Sequence, residues 1–162
     1  MWSGSHRNEA SRTLTLKINS SSYLGYKPIK ILLKRTEDLF LDVLNGVQNV
    51  LHELDEEGFP NLKHLHVRNG VELLYIVNSE GRIHYNAFQM LKVLRLNNLI
   101  NLENICYGPL KETSFNKLRT VKVNKCDRLK HLFSISMAKS LSKLQEIEVC
   151  WLNFQQMSPS LA

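Results

Sequence analysis

Between Leu118 and Phe133 the apolar residues stand at Leu118, Val121, Val123, Cys126, Leu129 and Leu132, and the run mixes two periods. Val121 and Val123 alternate with polar Thr120, Lys122 and Asn124, which predicts a short strand with one buried face. From Cys126 onward the apolar residues recur at every third position, too tight for a strand and suited to a chain that turns back along itself. A unit of this kind leaves its own apolar edge uncovered and needs neighbours stacked on both sides.

The neighbours are present. The same template falls on Leu91, Leu94, Leu96, Leu99, Leu102 and Ile105, and before that on Leu62, Leu65, Val67, Gly70, Leu73 and Ile76, where every position but the glycine is apolar. Leu39, Leu41, Leu44, Val47 and Val50 follow it with Thr36 in the first place, and Leu144, Ile147, Val149 and Leu152 follow it downstream until Gln155 breaks the pattern. The anchors Thr36, Leu62, Leu91, Leu118 and Leu144 are 26, 29, 27 and 26 residues apart. Phe59, Phe88, Phe115 and Leu141 each precede an anchor by three residues, a second marker in the same register. Pattern and period are those of a leucine-rich repeat, L-x-x-L-x-L-x-x-C-x-x-L-x-x-L.

The predicted fold class is therefore α/β: a solenoid of about five to six coils, with parallel strands on the concave face and short helices and loops on the convex face. Strands are expected near residues 14 to 16, 38 to 42, 64 to 68, 93 to 97, 120 to 124 and 146 to 150, the first from a degenerate repeat at Leu14 and Leu16. Domain organisation divides into a poorly ordered segment over 1–10, the repeat domain over 11–152, and an incomplete repeat or tail over 153–162. The stretch SSSYLGYKPIK reads as turn-rich, after which Ile31, Leu32 and Leu33 are expected to return to the core. VQNVLHELDEEGF predicts a helix ending at Gly58, with Pro60 beyond it. SISMAKSLSKL predicts another, with Ile135, Ala138, Leu141 and Leu144 sharing one face. NSEGRIHYNA, polar and glycine-containing, reads as a loop. The final unit has neither a complete repeat nor a polar cap, and so suggests a chain cut from something longer.

Composition changes this picture little. With a hydrophobic share of 43% and no apolar run near the roughly 18 residues of a membrane span, no membrane span is expected. MWSGSHRNEA lacks the apolar core of a secretory signal, which points to a cytoplasmic chain, with the nucleus and the periphery of the plasma membrane as further sites. Cys106, Cys126 and Cys150 form no C-x-x-C pair and fall at inequivalent repeat positions, which argues against a disulfide framework and a zinc site. Cys126 reads as a small buried hydrophobe. The Asn19-Ser20-Ser21 acceptor pattern carries little weight without a secretory signal. The formal net charge of +6 suits an acidic partner, yet the basic residues are scattered through every repeat without interleaved aromatics, so no nucleic acid is expected.

Catalytic signatures are missing: the sequence holds no phosphate-cradling G-x-x-x-x-G-K-[ST] loop, no G-x-S-x-G elbow and no H-E-x-x-H helix. No enzyme activity and no cofactor are expected, and the acidic run Asp55, Glu56, Glu57 reads as solvated. His64 and His66 form the most metal-like pair, since i and i+2 of a strand share a face, but a third ligand is missing nearby. That face is the more informative feature. The outward strand positions form a ladder in which His66, Arg95 and Lys122 stand in line, flanked by Asp38 and Asp42 on one side and Glu146 and Glu148 on the other. With His64 and Arg68 on the same strand as His66 and one exposed aromatic, Phe40, the candidate partner-binding residues are Phe40, His64, His66, Arg68, Arg95, Lys122 and Glu148.

The phrases LNGVQNVLHELDEEGFPNLKHLHV, LRLNNLINLENICYGPL and FNKLRTVKVNKCDRLKHLFSISMAKSLSKLQEIEV carry more than the leucine positions. They resemble the C-terminal leucine-rich repeats of plant nucleotide-binding (NBS-LRR) disease resistance proteins of the coiled-coil class, over roughly residues 11 to 152. The resemblance implies a segment of an intracellular immune receptor whose repeats help recognise pathogen effectors or host proteins altered by them, and hold the nucleotide-binding domain inactive. The implied partners are a pathogen effector, a modified host protein, or that nucleotide-binding domain. The coiled-coil and nucleotide-binding domains themselves are absent from this sequence, so nucleotide binding and death signalling do not carry over. The substrate-recognition arm of a ubiquitin ligase, or another cytosolic repeat scaffold, is the alternative. An extracellular receptor domain fits less well, because the period of about 24 residues and the N-x-L-x-G-x-I-P phrases of that class are not found.

Overall fold

A computed structural model of the chain describes residues 11–19, 25–43, 50–81 and 85–150. In chain order the elements are β1 (Thr13–Ile18), α1 (Lys27–Leu33), β2 (Asp38–Val43), α2 (Val50–Leu54), β3 (His64–Arg68), β4 (Tyr75–Asn78), β5 (Val93–Asn97), β6 (Asn104–Tyr107), β7 (Thr120–Asn124), α3 (Ile135–Ser140) and β8 (Glu146–Cys150). Six of the strands form one parallel sheet in the order β1-β2-β3-β5-β7-β8, so each repeat adds a strand beside the last. The six expected strands are all found, and the fold is an α/β repeat fold with a parallel sheet. The sequence calls on residues 1–10 and 153–162 lie outside the described residues.

Register follows from burial. Leu39, Leu65, Leu94 and Val121 are Cα partners in successive strands, as are Leu41, Val67, Leu96 and Val123, and all eight are buried. A one-residue slip would turn either row out into water, so the apolar rows fix the pairing. The backbone repeats the same device at the start of each strand. The carbonyls of Glu37, Lys63, Lys92 and Arg119 each accept two consecutive N–H groups from the following repeat, such as Lys92 (2.7 Å) and Val93 (3.2 Å) on Lys63.

Three positive-φ phenylalanines explain the marker ahead of Leu62, Leu91 and Leu118. Phe59, Phe88 and Phe115 hold φ between 54° and 57°, and each carbonyl accepts the N–H of the anchor leucine three residues on. Their rings are buried in contact, Phe59 on Phe88 at 5.4 Å and Phe88 on Phe115 at 5.1 Å. The turn aims each chain into its strand while the ring fills the core behind it. Gly70, the one non-apolar template position among these repeats, has a spatial reason: a Cβ there would meet Leu73 Cδ1 at 2.6 Å and Leu99 Cδ2 at 3.3 Å. Thr36, in place of an anchor leucine, is buried with its hydroxyl donating to the Leu32 carbonyl at 2.8 Å.

The far side of the repeats departs from expectation in four places. Lys27–Leu33 is a helix with proline at its first turn, where a missing N–H costs nothing, and of its apolar residues Ile31 and Leu32 are exposed while Leu33 alone of the three is buried. The next helix stops at Leu54 rather than Gly58, because the Asp55 carboxylate accepts the N–H groups of Glu57 (2.8 Å) and Phe59 (3.1 Å) and folds the chain into a turn. Asp55 is accordingly buried, whereas Glu56 and Glu57 are solvated. In α3 the buried residue is Met137, followed by Leu141; Ile135 is 82% exposed and Ala138 is exposed too. Ser134 sets that rotation by capping the helix at the Met137 N–H. Finally, β4 and β6 form a small second parallel sheet, with Ile76 and Ile105 buried beneath it.

Candidate interaction face

The solvent face of the six-stranded sheet carries every residue singled out for binding. Thr15, Phe40, His66, Arg95, Lys122 and Glu148 are successive Cα partners, one per strand, so they form a single line across the sheet. His64 and Arg68 flank His66 on β3, one in each adjoining line. The inward alternate positions are hydrophobic, and this alone turns the polar alternates outward.

The charges on this face are mostly balanced by a neighbouring strand. His64 Nδ1 contacts Asp38 Oδ1, and Arg68 donates Nη2 and Nε to Asp42 at 2.9 and 3.1 Å. Lys122 Nζ lies 3.1 Å from Glu146 and 3.0 Å from Glu148, and the hydrogen bonds to Glu148 and Glu146 raise its pKa. Asp42 is held below the usual carboxylate range, first by the Asn69 amide and then by Arg68 and Lys17. For Asp38, partial burial works the other way, but hydrogen bonds from Ser11, His64 and Thr13 outweigh it and the pKa falls. Arg95, exposed in mid-line, makes no ion pair among the described residues.

Beside Arg95 the surface turns apolar. Phe40, 42% exposed, meets the His66 ring edge-on at 5.6 Å. The two rings, with Thr15, Leu41 and the Asp42–Arg68 pair, line an open hollow of about 380 Å³. Partial desolvation lowers the His66 pKa, and the positive charges of Arg95 and Arg68 lower it further. His66 is thus a neutral aromatic wall at physiological pH.

An amide chain braces this end of the sheet. Asn98 Nδ2 donates to Asn69 Oδ1 at 2.9 Å, and Asn69 Nδ2 donates to Asp42 Oδ1 at 2.8 Å, linking three repeats at the C-terminal ends of their strands. Both asparagines hold positive φ, a conformation asparagine tolerates better than most side chains. Sequence reasoning missed this chain and the roles of Thr15 and Leu41 in the hollow. The signal for Asp38 and Asp42 was present, since each stands one repeat before a base at the same template position.

Other chemistry is sparse. Among the described residues no group of three His, Cys, Asp or Glu is placed to hold a metal ion, and no helix is long and apolar enough to cross a membrane. Cys126 is buried and burial raises its thiol pKa; the Cys106 thiol is pushed up to about 12 by the same cause. Both are therefore unreactive thiols at neutral pH. A larger recess of about 740 Å³ lies between residues 108–116 and α3, lined by loop and helix residues including Ser134, Ser140 and Lys111, away from the strand line.

Searches of curated proteins and of solved structures return no match. A family model described as "Plant disease resistance protein RPS2-like, leucine-rich repeats" matches residues 20–151. That range holds the strand repeats from β2 to β8 and the whole line from Phe40 to Glu148. Most of the chain is covered, and the chain belongs to the RPS2-like leucine-rich repeat family of plant disease resistance proteins.

Proposed function

We propose that this chain is the protein-binding repeat module of a plant immune receptor acting inside the cell, in the cytoplasm, the nucleus or at the inner face of the plasma membrane. On this reading the repeats over 11–152 wind a solenoid of about five to six coils whose strand face is concave. A pathogen effector, or a host protein altered by one, docks on that face, and in the resting receptor the same module helps restrain the nucleotide-binding domain. The observation that carries the proposal is the arrangement on the sheet: an apolar hollow at Phe40 and His66 adjoins Arg95, a cation with no ion pair among the described residues. A partly buried aromatic supplies affinity and an exposed charge beside it supplies association rate and salt sensitivity.

The test is a pairwise interaction screen of the full chain against pathogen effectors and the host proteins they modify. Phe40→Ala combined with Arg95→Glu abolishes the interactions found. Lys139→Glu combined with Lys143→Glu, on the exposed side of the chain around α3, leaves them intact. Equal binding by both double variants would overturn the assignment of the strand face.

A further inference from the structure

The character of the solvent line changes in a definite order. At β1 to β3 it is apolar and electrically balanced, because His66 is neutral and Arg68 is satisfied by Asp42. At β5 it carries one cation without an ion pair among the described residues, Arg95. At β7 and β8 it is negative, because Lys122 is shared by Glu146 and Glu148 and leaves one carboxylate in excess. Hydrophobic, positive and negative zones therefore succeed one another across the sheet.

The spacing of those zones is fixed by strand geometry. Phe40 and Arg95 are two strands apart, as are Arg95 and Glu148, and two inter-strand steps come to about 10 Å. A polypeptide in the polyproline II conformation, with three residues per turn and a rise of about 3.1 Å per residue, covers that distance in about three residues and brings every third side chain back to the same face. We infer that the face takes a segment of a partner protein in the polyproline II conformation, bearing an apolar residue, a carboxylate and a base at successive intervals of about three residues, laid across the strands with the apolar residue in the Phe40 hollow, the carboxylate on Arg95 and the base at Glu146 and Glu148. The inference rests on the proposed binding role of this face and adds the chemistry of what binds. Arg95 suits the central role, since its planar fork pairs a carboxylate through two N–H groups. The two charged zones then set order: a segment in which the acid and the base exchange places sets a base against Arg95 and a carboxylate against two glutamates, and like charges exclude it.

Selection of a displayed random dodecapeptide library on the full chain tests this, with Phe40→Ala and Arg95→Glu selected in parallel and their folding checked by circular dichroism. Enriched peptides carry the apolar, acidic and basic residues at this spacing. A labelled synthetic peptide, Gly-Leu-Ser-Ser-Glu-Ser-Ser-Lys-Gly, loses at least about tenfold in affinity on Arg95→Glu, the size of a charge-assisted hydrogen bond. Selection on Arg95→Glu replaces the central acid by a base. Enriched peptides that lose binding to Phe40→Ala yet show no acid at that interval overturn the spacing inference and leave the face assignment standing. Peptides indifferent to both substitutions, or no enrichment at all, overturn the inference, and the effector screen then decides the face assignment independently.

Discussion

The rings of Phe59 and Phe88 stack with centroids 5.4 Å apart and planes only 4° from parallel, although both residues hold a positive φ of 54°. A left-handed conformation costs a side-chain-bearing residue about 1–2 kcal/mol, and here two compensations are visible. The Phe88 N–H donates to the Gly58 carbonyl at 2.7 Å, and the ring is buried between Phe59 and Phe115. Phe88→Ala keeps the backbone strain and removes the ring, so it lowers unfolding free energy by about 3–5 kcal/mol in urea denaturation. Phe88→Leu, which retains most of the volume, costs clearly less. Equal midpoints for the two variants would show that the aromatic column contributes nothing beyond any apolar filler.

Leu94 is fully buried at the centre of the sheet, paired with Leu65 and Val121. Leu94→Ala destabilises by about 2–5 kcal/mol. In an array where each repeat is covered only by its neighbours, the loss is cooperative, and a thermal melt records one lowered transition for the whole chain. A variant melting like the parent would contradict the packing register.

Asp55 holds two backbone donors in the turn that Gly58 completes. Asp55→Ala strands the buried Phe59 N–H at a cost of about 1–3 kcal/mol. Gly58→Ala is independently harmful, because φ is +80° and the added Cβ would stand 2.5 Å from the Asn86 carbonyl oxygen. Both effects appear as lower denaturant midpoints, and unchanged midpoints would remove the turn from the list of structural determinants.

Acid stability is the fourth measurable consequence. The folded-state pKa of Asp42 is depressed by the Asn69 amide and by Arg68, so ionised Asp42 stabilises the fold at neutral pH. Because the shift is downward, that stabilisation is fully present above the ordinary carboxylate pKa and disappears as pH falls through the depressed one. Asp42→Asn removes this part of the acid-side slope. Parallel stability profiles for parent and variant below the carboxylate range would refute the linkage.

No phosphate-cradling loop occurs in the sequence, and titration calorimetry of the isolated chain with ATP is expected to give no saturable signal. Binding at micromolar concentration would contradict this.

The strand face was legible from the chain because two physical signals coincide there. Alternation picks out Leu65 and Val67 as buried and His64, His66 and Arg68 as outward, and the repeat period then aligns each with its neighbour without any knowledge of side-chain geometry. The outer connections were less legible. Ile135 and Met137 differ little in hydrophobicity, and what turns Met137 inward is the Ser134 cap, a local hydrogen bond with no periodic trace. Asp55 reads as a surface acid until its two backbone donors are seen. The balance of charge on the candidate face lay between these cases. The cross-strand partners of Arg68 and Lys122 follow from register, but the neutral state of His66 depends on a depth of burial that no spacing encodes.

The forked carbonyls at Glu37, Lys63, Lys92 and Arg119 have a consequence for heredity. Each locks a strand to its predecessor through main-chain groups alone, so this part of the pairing does not depend on which side chains the solvent positions bear. Repeat length varies between strands: Leu62 and Leu91 stand 29 residues apart, and their strands remain in step. Mutation can rewrite the outward residues, and recombination can lengthen or exchange whole repeats, while the scaffold that presents them is inherited unchanged. A lineage can thus vary the outward surface of such a repeat without first having to discover a new way to fold.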